Sequence, residues 1–215
     1  MKRSKADIVR EYGPFPEVES VAGVSYDGKQ VWFASGNRLN ILDPESGKVV
    51  RALDIAGHAG TAFDGQHLFQ IAEKRIHKID PTTGRVLSSI PAPGGGGDSG
   101  LAWAEGTLWV GQHRERKIHQ IDPETGAILR TIESNRFVTG VTWVDDELWH
   151  GTREGDESDL RRIDAQTGEV LEQIELPQGV FVSGLESDGR DLFFCGGGGS
   201  GKVRAVRRPG KATRA

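Results

Sequence analysis

Short segments in which β-branched and aromatic residues alternate with polar ones recur along the chain, and none carries the 3.6-residue apolar period of an amphipathic helix. The first group reads Gly23 to Tyr26, Val31 to Ala34, Leu39 to Leu42 and Val49 to Leu53, four short strands parted by turns. Its fourth strand returns as Val86 to Ile90, Ile128 to Ile132 and Val170 to Ile174. The pattern predicts a series of near-equal four-stranded units. That excludes a helical solenoid, and a β-sandwich would have no need of such a repeat.

Two landmarks set the period. One is a turn between the third and fourth strands: Asp43-Pro44-Glu45-Ser46-Gly47, Asp80-Pro81-Thr82-Thr83-Gly84, Asp122-Pro123-Glu124-Thr125-Gly126 and Asp164-Ala165-Gln166-Thr167-Gly168. Asp hydrogen-bonds its own turn, Pro presets φ and Gly takes the left-handed position. The other is a glycine after a small residue and before the first strand: Gly23, Gly60, Gly100, Gly140 and Gly184, separated by 37, 40, 40 and 44 residues. Eight residues beyond each, the second strand opens as Val31-Trp32, Leu68-Phe69, Leu108-Trp109, Leu148-Trp149 and Leu192-Phe193, which predicts one aromatic core position in every unit.

Five such units predict an all-β, five-bladed β-propeller with four-stranded blades, one domain over residues 1–215. The fifth unit reaches its third strand near Val203 to Val206 and lacks a fourth. Ile8 to Tyr12 has the missing strand's pattern, so the N-terminal strand is expected to complete the last blade and close the ring, removing an exposed sheet edge.

Composition narrows the classes. With 36% hydrophobic residues, five Trp and eight Phe in 215 residues, the chain has enough apolar mass for a continuous core. A net charge of -4, from 27 basic and 31 acidic residues spread along the length, argues against a nucleic-acid surface. The basic tail from Arg204 to Arg214, residues 207–215 in particular, reads as a solvated, frayed terminus. Met1 to Arg10 has no apolar run behind its basic residues, so no signal or membrane span is expected. The single Cys195 agrees with a reducing compartment, and the chain reads as cytoplasmic, as a monomer or weak oligomer. Gly196 to Lys202 matches the front of a phosphate-loop pattern, but Val203 stands where Ser or Thr is required and no helix follows.

A short five-bladed ring with an Asp-Pro-x-Thr-Gly turn in its blades resembles the glutamine cyclotransferase-like propellers and, more loosely, the streptogramin lyase and gluconolactonase types. The resemblance spans about residues 8 to 206. It implies a ligand site at the mouth of the central channel. Glutaminyl cyclases of this fold place Gln, Glu, Trp and Asn just before the first four landmark glycines; the matching positions here are Ala22, Ala59, Ser99 and Thr139. The resemblance therefore implies the architecture and not glutamine cyclisation. Lactonase-type propellers bind a divalent metal through Glu, Asn and Asp, and no matching set is found.

On the mouth face, positions where the blades differ are the informative ones. One step before the small residue stand Val21, His58, Asp98, Val138 and Val182. His58 beside Asp98 reads either as a general base with its orienting carboxylate or as two ligands of one divalent metal ion; the bland alternative is a solvated His and an Asp capping the turn Gly94 to Gly97. His113 and Arg153, at the outer ends of second strands, predict a charged rim for an anionic or zwitterionic ligand, with Arg136 a further candidate for orienting it. His150 departs from Phe33, Gln70, Val110 and Phe194, and reads as a satisfied core histidine or a binding group. Cys195 reads as a small buried hydrophobe or a nucleophile, and Glu186, the one carboxylate in a first strand, as an acid, base or ligand. Two functions follow. One is a small-molecule enzyme of lyase, hydrolase or cyclotransferase type using His58, Asp98 and Glu186; the other is a non-catalytic propeller binding a ligand or protein on the same rim.

Overall fold

The structure, a computed structural model, describes residues 1–210. The chain opens with β1 (Lys2–Lys5) and β2 (Ile8–Tyr12), which join blades formed much later. Blade 1 is β3 (Val24–Tyr26), β4 (Val31–Ser35), β5 (Arg38–Asp43) and β6 (Lys48–Leu53). Blade 2 is β7 (Thr61–Phe63), β8 (Leu68–Ala72), β9 (Arg75–Ile79) and β10 (Val86–Pro91). Blade 3 is β11 (Asp98–Ala104), β12 (Thr107–Gln112), β13 (Lys117–Ile121) and β14 (Ile128–Glu133). Blade 4 is β15 (Phe137–Val144), β16 (Glu147–Glu154), β17 (Glu157–Ile163) and β18 (Val170–Glu175). Blade 5 is β19 (Leu185–Ser187), β20 (Leu192–Gly196) and β21 (Val203–Arg207), with β2 as its outer strand. The molecule is the expected five-bladed all-β propeller.

Both landmarks have physical causes. In the turns, Asp43, Asp80, Asp122 and Asp164 each accept the backbone N–H two residues on, at 2.8–3.0 Å. These bonds hold the four carboxyls below their ordinary range; Ser46 contributes most at Asp43, and the N–H groups of Thr83, Thr125 and Thr167 at the others. The axial glycines allow a close approach between blades. A Cβ on Gly23 would lie 2.3 Å from the Ala59 carbonyl, one on Gly100 2.5 Å from that of Thr139, and one on Gly184 2.6 Å from that of Ala22, which closes the circle. Any side chain there would push neighbouring blades apart.

The core lies between blades. Phe69 stacks on Trp103 and Trp109 on Trp143, each pair at 5.3 Å between ring centroids and each bridging adjacent blades. The matching pair across the ring junction is Phe194 with Tyr26, at 5.5 Å. The fifth aromatic of the series is thus Phe194 and not Phe193. The reason is the turn between β19 and β20, where Asp188 N–H reaches the carbonyl of Leu192, against Asp27 to Gln30 and Asp64 to His67 in blades 1 and 2. One extra residue shifts every later position of β20 by one. Cys195 consequently stands with Phe33, Gln70, Val110 and His150, in the place that counting along the sequence assigns to Phe194.

β2 runs antiparallel to β21, Ile8 opposite Val206 and Tyr12 opposite Val203, as the repeat requires. Arg10 donates to the carbonyls of Pro44 and Glu45, fastening the closing strand to blade 1. β1 is an addition that the apolar pattern does not predict. It lies parallel to β18 as a fifth strand on blade 4, with Lys2 2.9 Å from Glu172. The basic C-terminal stretch is also less loose than expected: Arg207 ends β21 and pairs with Asp7 at 2.8 Å, and Arg208 is buried against Asp145. The rest of that tail, 211–215, lies outside the described residues.

Candidate functional site

The loops entering the first strands and the hairpins between second and third strands meet at one end of the axis. Around it they enclose a cavity of about 570 Å³ to which all five blades contribute. The small residues Ala22, Ala59, Ser99, Thr139 and Ser183 line it, as do His58, Asp98, His113 and Arg153. Glu186, Arg136, His150 and Cys195 do not.

His58 and Asp98 are engaged separately. The backbone N–H of Glu73 donates to His58 Nδ1 at 3.0 Å, so in the neutral ring the proton sits on Nε2 and the imidazole is a donor. A general base needs a free ring lone pair, and the Glu73 N–H occupies the one that this tautomer has. Asp98 accepts the N–H of Gly94 through Oδ1 at 2.8 Å, as a cap of its glycine turn, while its Oδ2 is buried without a partner. His113 has the complementary arrangement: its Nδ1–H donates to the Val138 carbonyl at 3.0 Å, which leaves the Nε2 lone pair free. Its ring stacks on Phe137 at 4.9 Å. The Arg153 guanidinium lies 4.0 Å over the ring of Phe181, another cavity residue.

The remaining candidates sit elsewhere. Glu186 accepts Thr142 Oγ1 at 2.5 Å and its neighbour Ser187 N–H at 2.9 Å, with Ser25 Oγ at 3.5 Å, so it links blades 4, 5 and 1. Part of its surface stays open, but the surrounding protein desolvates the carboxyl and pushes it up to about 7, outweighing those bonds. Arg136 pairs with Asp159 at 3.1 Å and Glu157 at 3.0 Å, beside a separate polar pocket. Asp159, almost wholly buried, also takes Arg161, Thr152 and Gln173. His150 is buried and donates from Nδ1 to the Gly151 carbonyl at 3.2 Å; desolvation brings its pKa down to about 4. Burial pushes the Cys195 thiol up to about 12, which disfavours the thiolate that a nucleophile requires.

Among the described residues no group of three or more His, Cys, Asp or Glu side chains could hold a metal ion. His58 and Asp98 would need a third donor, and the donor set therefore does not fit a divalent centre.

Among the charged lining residues, Arg204 escapes the sequence reading as a site residue. Arg204, on β21, pairs across strands with Glu11, its Nε 2.6 Å from Glu11 Oε1. The same cross-strand position carries His77 with Ser89 and His119 with Thr131. Because this position is polar in several blades, charge at 204 is no departure from the repeat. Only the long reach of arginine, from a strand that begins beside the mouth, brings it to the cavity wall.

The comparisons agree with this architecture. The glutaminyl cyclase of Myxococcus xanthus superposes with a TM-score of 0.79 at 17% identity, over 96% of this chain and 97% of that one. A chain of the mitotic checkpoint complex (TM-score 0.54, 17% identity, 87% of this chain and 74% of that) and hydrazine synthase of Kuenenia stuttgartiensis (0.52, 18%, 83% and 56%) are more distant. At such identities the likeness shows the fold alone. No curated protein matches the chain by sequence. The family model described as outer membrane protein assembly factor BamB matches residues 72–213, which hold three of the four landmark turns, and the chain belongs to that propeller-repeat family.

Proposed function

We propose that the propeller binds a small polar molecule at the channel mouth and does not transform it. The observation that carries this reading is the state of His58. Its Nδ1 is occupied by a backbone N–H and no hydrogen bond joins it to Asp98, so the one His–carboxylate pair suggested by the sequence is not assembled as a base. The walls instead offer fixed donors and acceptors around small residues, which suits recognition.

A thermal-shift panel of amino, hydroxy and dicarboxylic acids tests it, run on the wild type and on Ala59→Trp, which fills the cavity. Compounds that raise Tm in the wild type alone, and are recovered unchanged by mass spectrometry after long incubation, support binding without turnover. A panel in which nothing shifts Tm would sink the reading.

The enzymatic alternative, of lyase, hydrolase or cyclotransferase type, is favoured by one observation, the free Nε2 lone pair of His113. If a bound compound is consumed, and His113→Gln stops its consumption while still binding it, the catalytic reading replaces the first.

A further inference from the structure

The charge left open at the mouth is positive. Arg204 is paired with Glu11, and Asp98, the one carboxylate lining the cavity, caps Gly94 with Oδ1 while its Oδ2 is closed off. Arg153 is different. It is exposed, and among the described residues its polar and ring contacts are the face of Phe181 at 4.0 Å and, through Nε, the Gly155 carbonyl at 3.4 Å. No carboxylate pairs with it: of the acids in its own hairpin, Glu154 takes Arg116, Glu157 takes Arg136, and Asp156 lies outside the cavity lining. Stacking on Phe181 uses the face of the guanidinium and leaves its Nη edge free, a fork whose geometry matches a carboxylate.

A second group stands near it. His113 and Arg153 share Phe137 as a neighbour: the imidazole stacks on its ring at 4.9 Å, and Arg153 is its cross-strand partner. With Nδ1–H committed to Val138, the neutral His113 offers an acceptor at Nε2, which meets no protein group and stays accessible. The cavity thus presents a cationic fork and a neutral acceptor next to the apolar surface of Ala22, Ala59, Phe181 and Val182. The glycine loop of blade 5 makes no anion nest, because the N–H groups of Gly197, Gly198 and Ser200 already serve the Lys202 carbonyl, Ser183 Oγ and the Gly197 carbonyl. That favours a carboxylate over a phosphate.

From these features, and resting on the small-molecule reading above, we infer that the ligand is a hydroxy carboxylate with an apolar body: its carboxylate seats on the Arg153 fork and its hydroxyl donates to His113 Nε2. Acids with the hydroxyl on the second or the third carbon share this chemistry and differ in the spacing of the two groups.

Calorimetric titration tests it with 3-phenyllactate and 3-hydroxy-3-phenylpropionate, the amide of each, 3-phenylpropionate, which lacks the hydroxyl, and phenyl phosphate. At least one of the two hydroxy acids is expected to bind about tenfold or more tightly than its amide, 3-phenylpropionate and phenyl phosphate, and which one does so identifies the spacing. Arg153→Gln, at an exposed position, should close the gap between that acid and its amide. His113→Phe, which keeps an aromatic ring against Phe137, should close the gap to 3-phenylpropionate and leave the gap to the amide. Equal binding of acid and amide, a gap between them that survives Arg153→Gln, or a hydroxyl preference that survives His113→Phe would overturn the inference. Tighter binding of phenyl phosphate, or binding of no probe, would overturn it too. An amino or dicarboxylic acid that raises Tm in the separate panel while these probes fail would leave the small-molecule reading standing.

Discussion

Glu11 and Arg204, at opposite ends of the chain, meet at 2.6 Å, and the contact that fastens the ring also sets a cation in the wall of its mouth. Lys202 joins the same carboxylate at 2.8 Å. The hydrogen bond from Lys202, then that from Arg204, hold Glu11 below its ordinary pKa. A carboxyl lowered in the folded state contributes stability above its unfolded pKa and loses it as pH falls through the folded value. Glu11→Gln should therefore cost about 1–2 kcal/mol near neutrality, a figure kept small because the Glu11 side chain is 40% exposed. The gap between variant and wild type should close on acidification below about pH 4. Urea denaturation across that range checks both points; a gap that is unchanged in acid would contradict an ionic contribution.

The two N-terminal strands should prove unequal. β1 adds main-chain hydrogen bonds to an edge and exposes all four of its side chains, whereas β2 buries Tyr12 and supplies the missing strand of blade 5. Removing residues 1–5 is expected to lower stability by about 1–2 kcal/mol and keep a cooperative melt. Removing residues 1–12 should abolish cooperative unfolding, because an open blade edge then remains. Circular dichroism melts distinguish the two, and a cooperative transition in the longer deletion would show that ring closure is dispensable.

Glu186 should make the ring less stable as pH rises. Its folded pKa, about 7, exceeds its ordinary value of 4.5, so the folded state binds the proton more tightly and stability falls between those two values. Above them the penalty is constant, on the order of 3–4 kcal/mol at about 1.4 kcal/mol per pK unit. Glu186→Gln, which retains an acceptor for Thr142, should flatten this slope and be the more stable protein at about pH 8. Parallel slopes for wild type and variant would place the carboxyl's titration elsewhere.

The axial glycines should tolerate no side chain. Gly100→Ala sets a Cβ 2.5 Å from the Thr139 carbonyl and is expected to cost about 3 kcal/mol or more. Gly199→Ala, where nothing lies within 4 Å, should change stability by about 0.5 kcal/mol or less. Comparable losses at both positions would remove the close-approach explanation.

Much of the mouth was legible in advance, for a definite reason. His58, Asp98, His113 and Arg153 interrupt a repeat, and an interruption on a known face of a propeller can be located by counting from the landmark glycines. The bonds that decide what those residues can do were not legible. The N–H that occupies His58 Nδ1 belongs to Glu73, brought there by the path of a loop, and no spacing rule predicts which ring nitrogen it meets. Arg204 stayed hidden because its position is polar in other blades too.

The local sequence, through turn chemistry and alternation, was sufficient to determine the number of blades, the strand order and the strand that closes the ring, because each depends on neighbours a few residues apart or on a repeat that can be aligned. Tertiary structure alone decided the one-residue shift of β20, the edge pairing of β1 and the meeting of Glu11 with Arg204. Those depend on backbone register and on the reach of side chains between segments nearly 200 residues apart, where main-chain hydrogen bonds carry no side-chain signature and the closure of the ring chooses the partners.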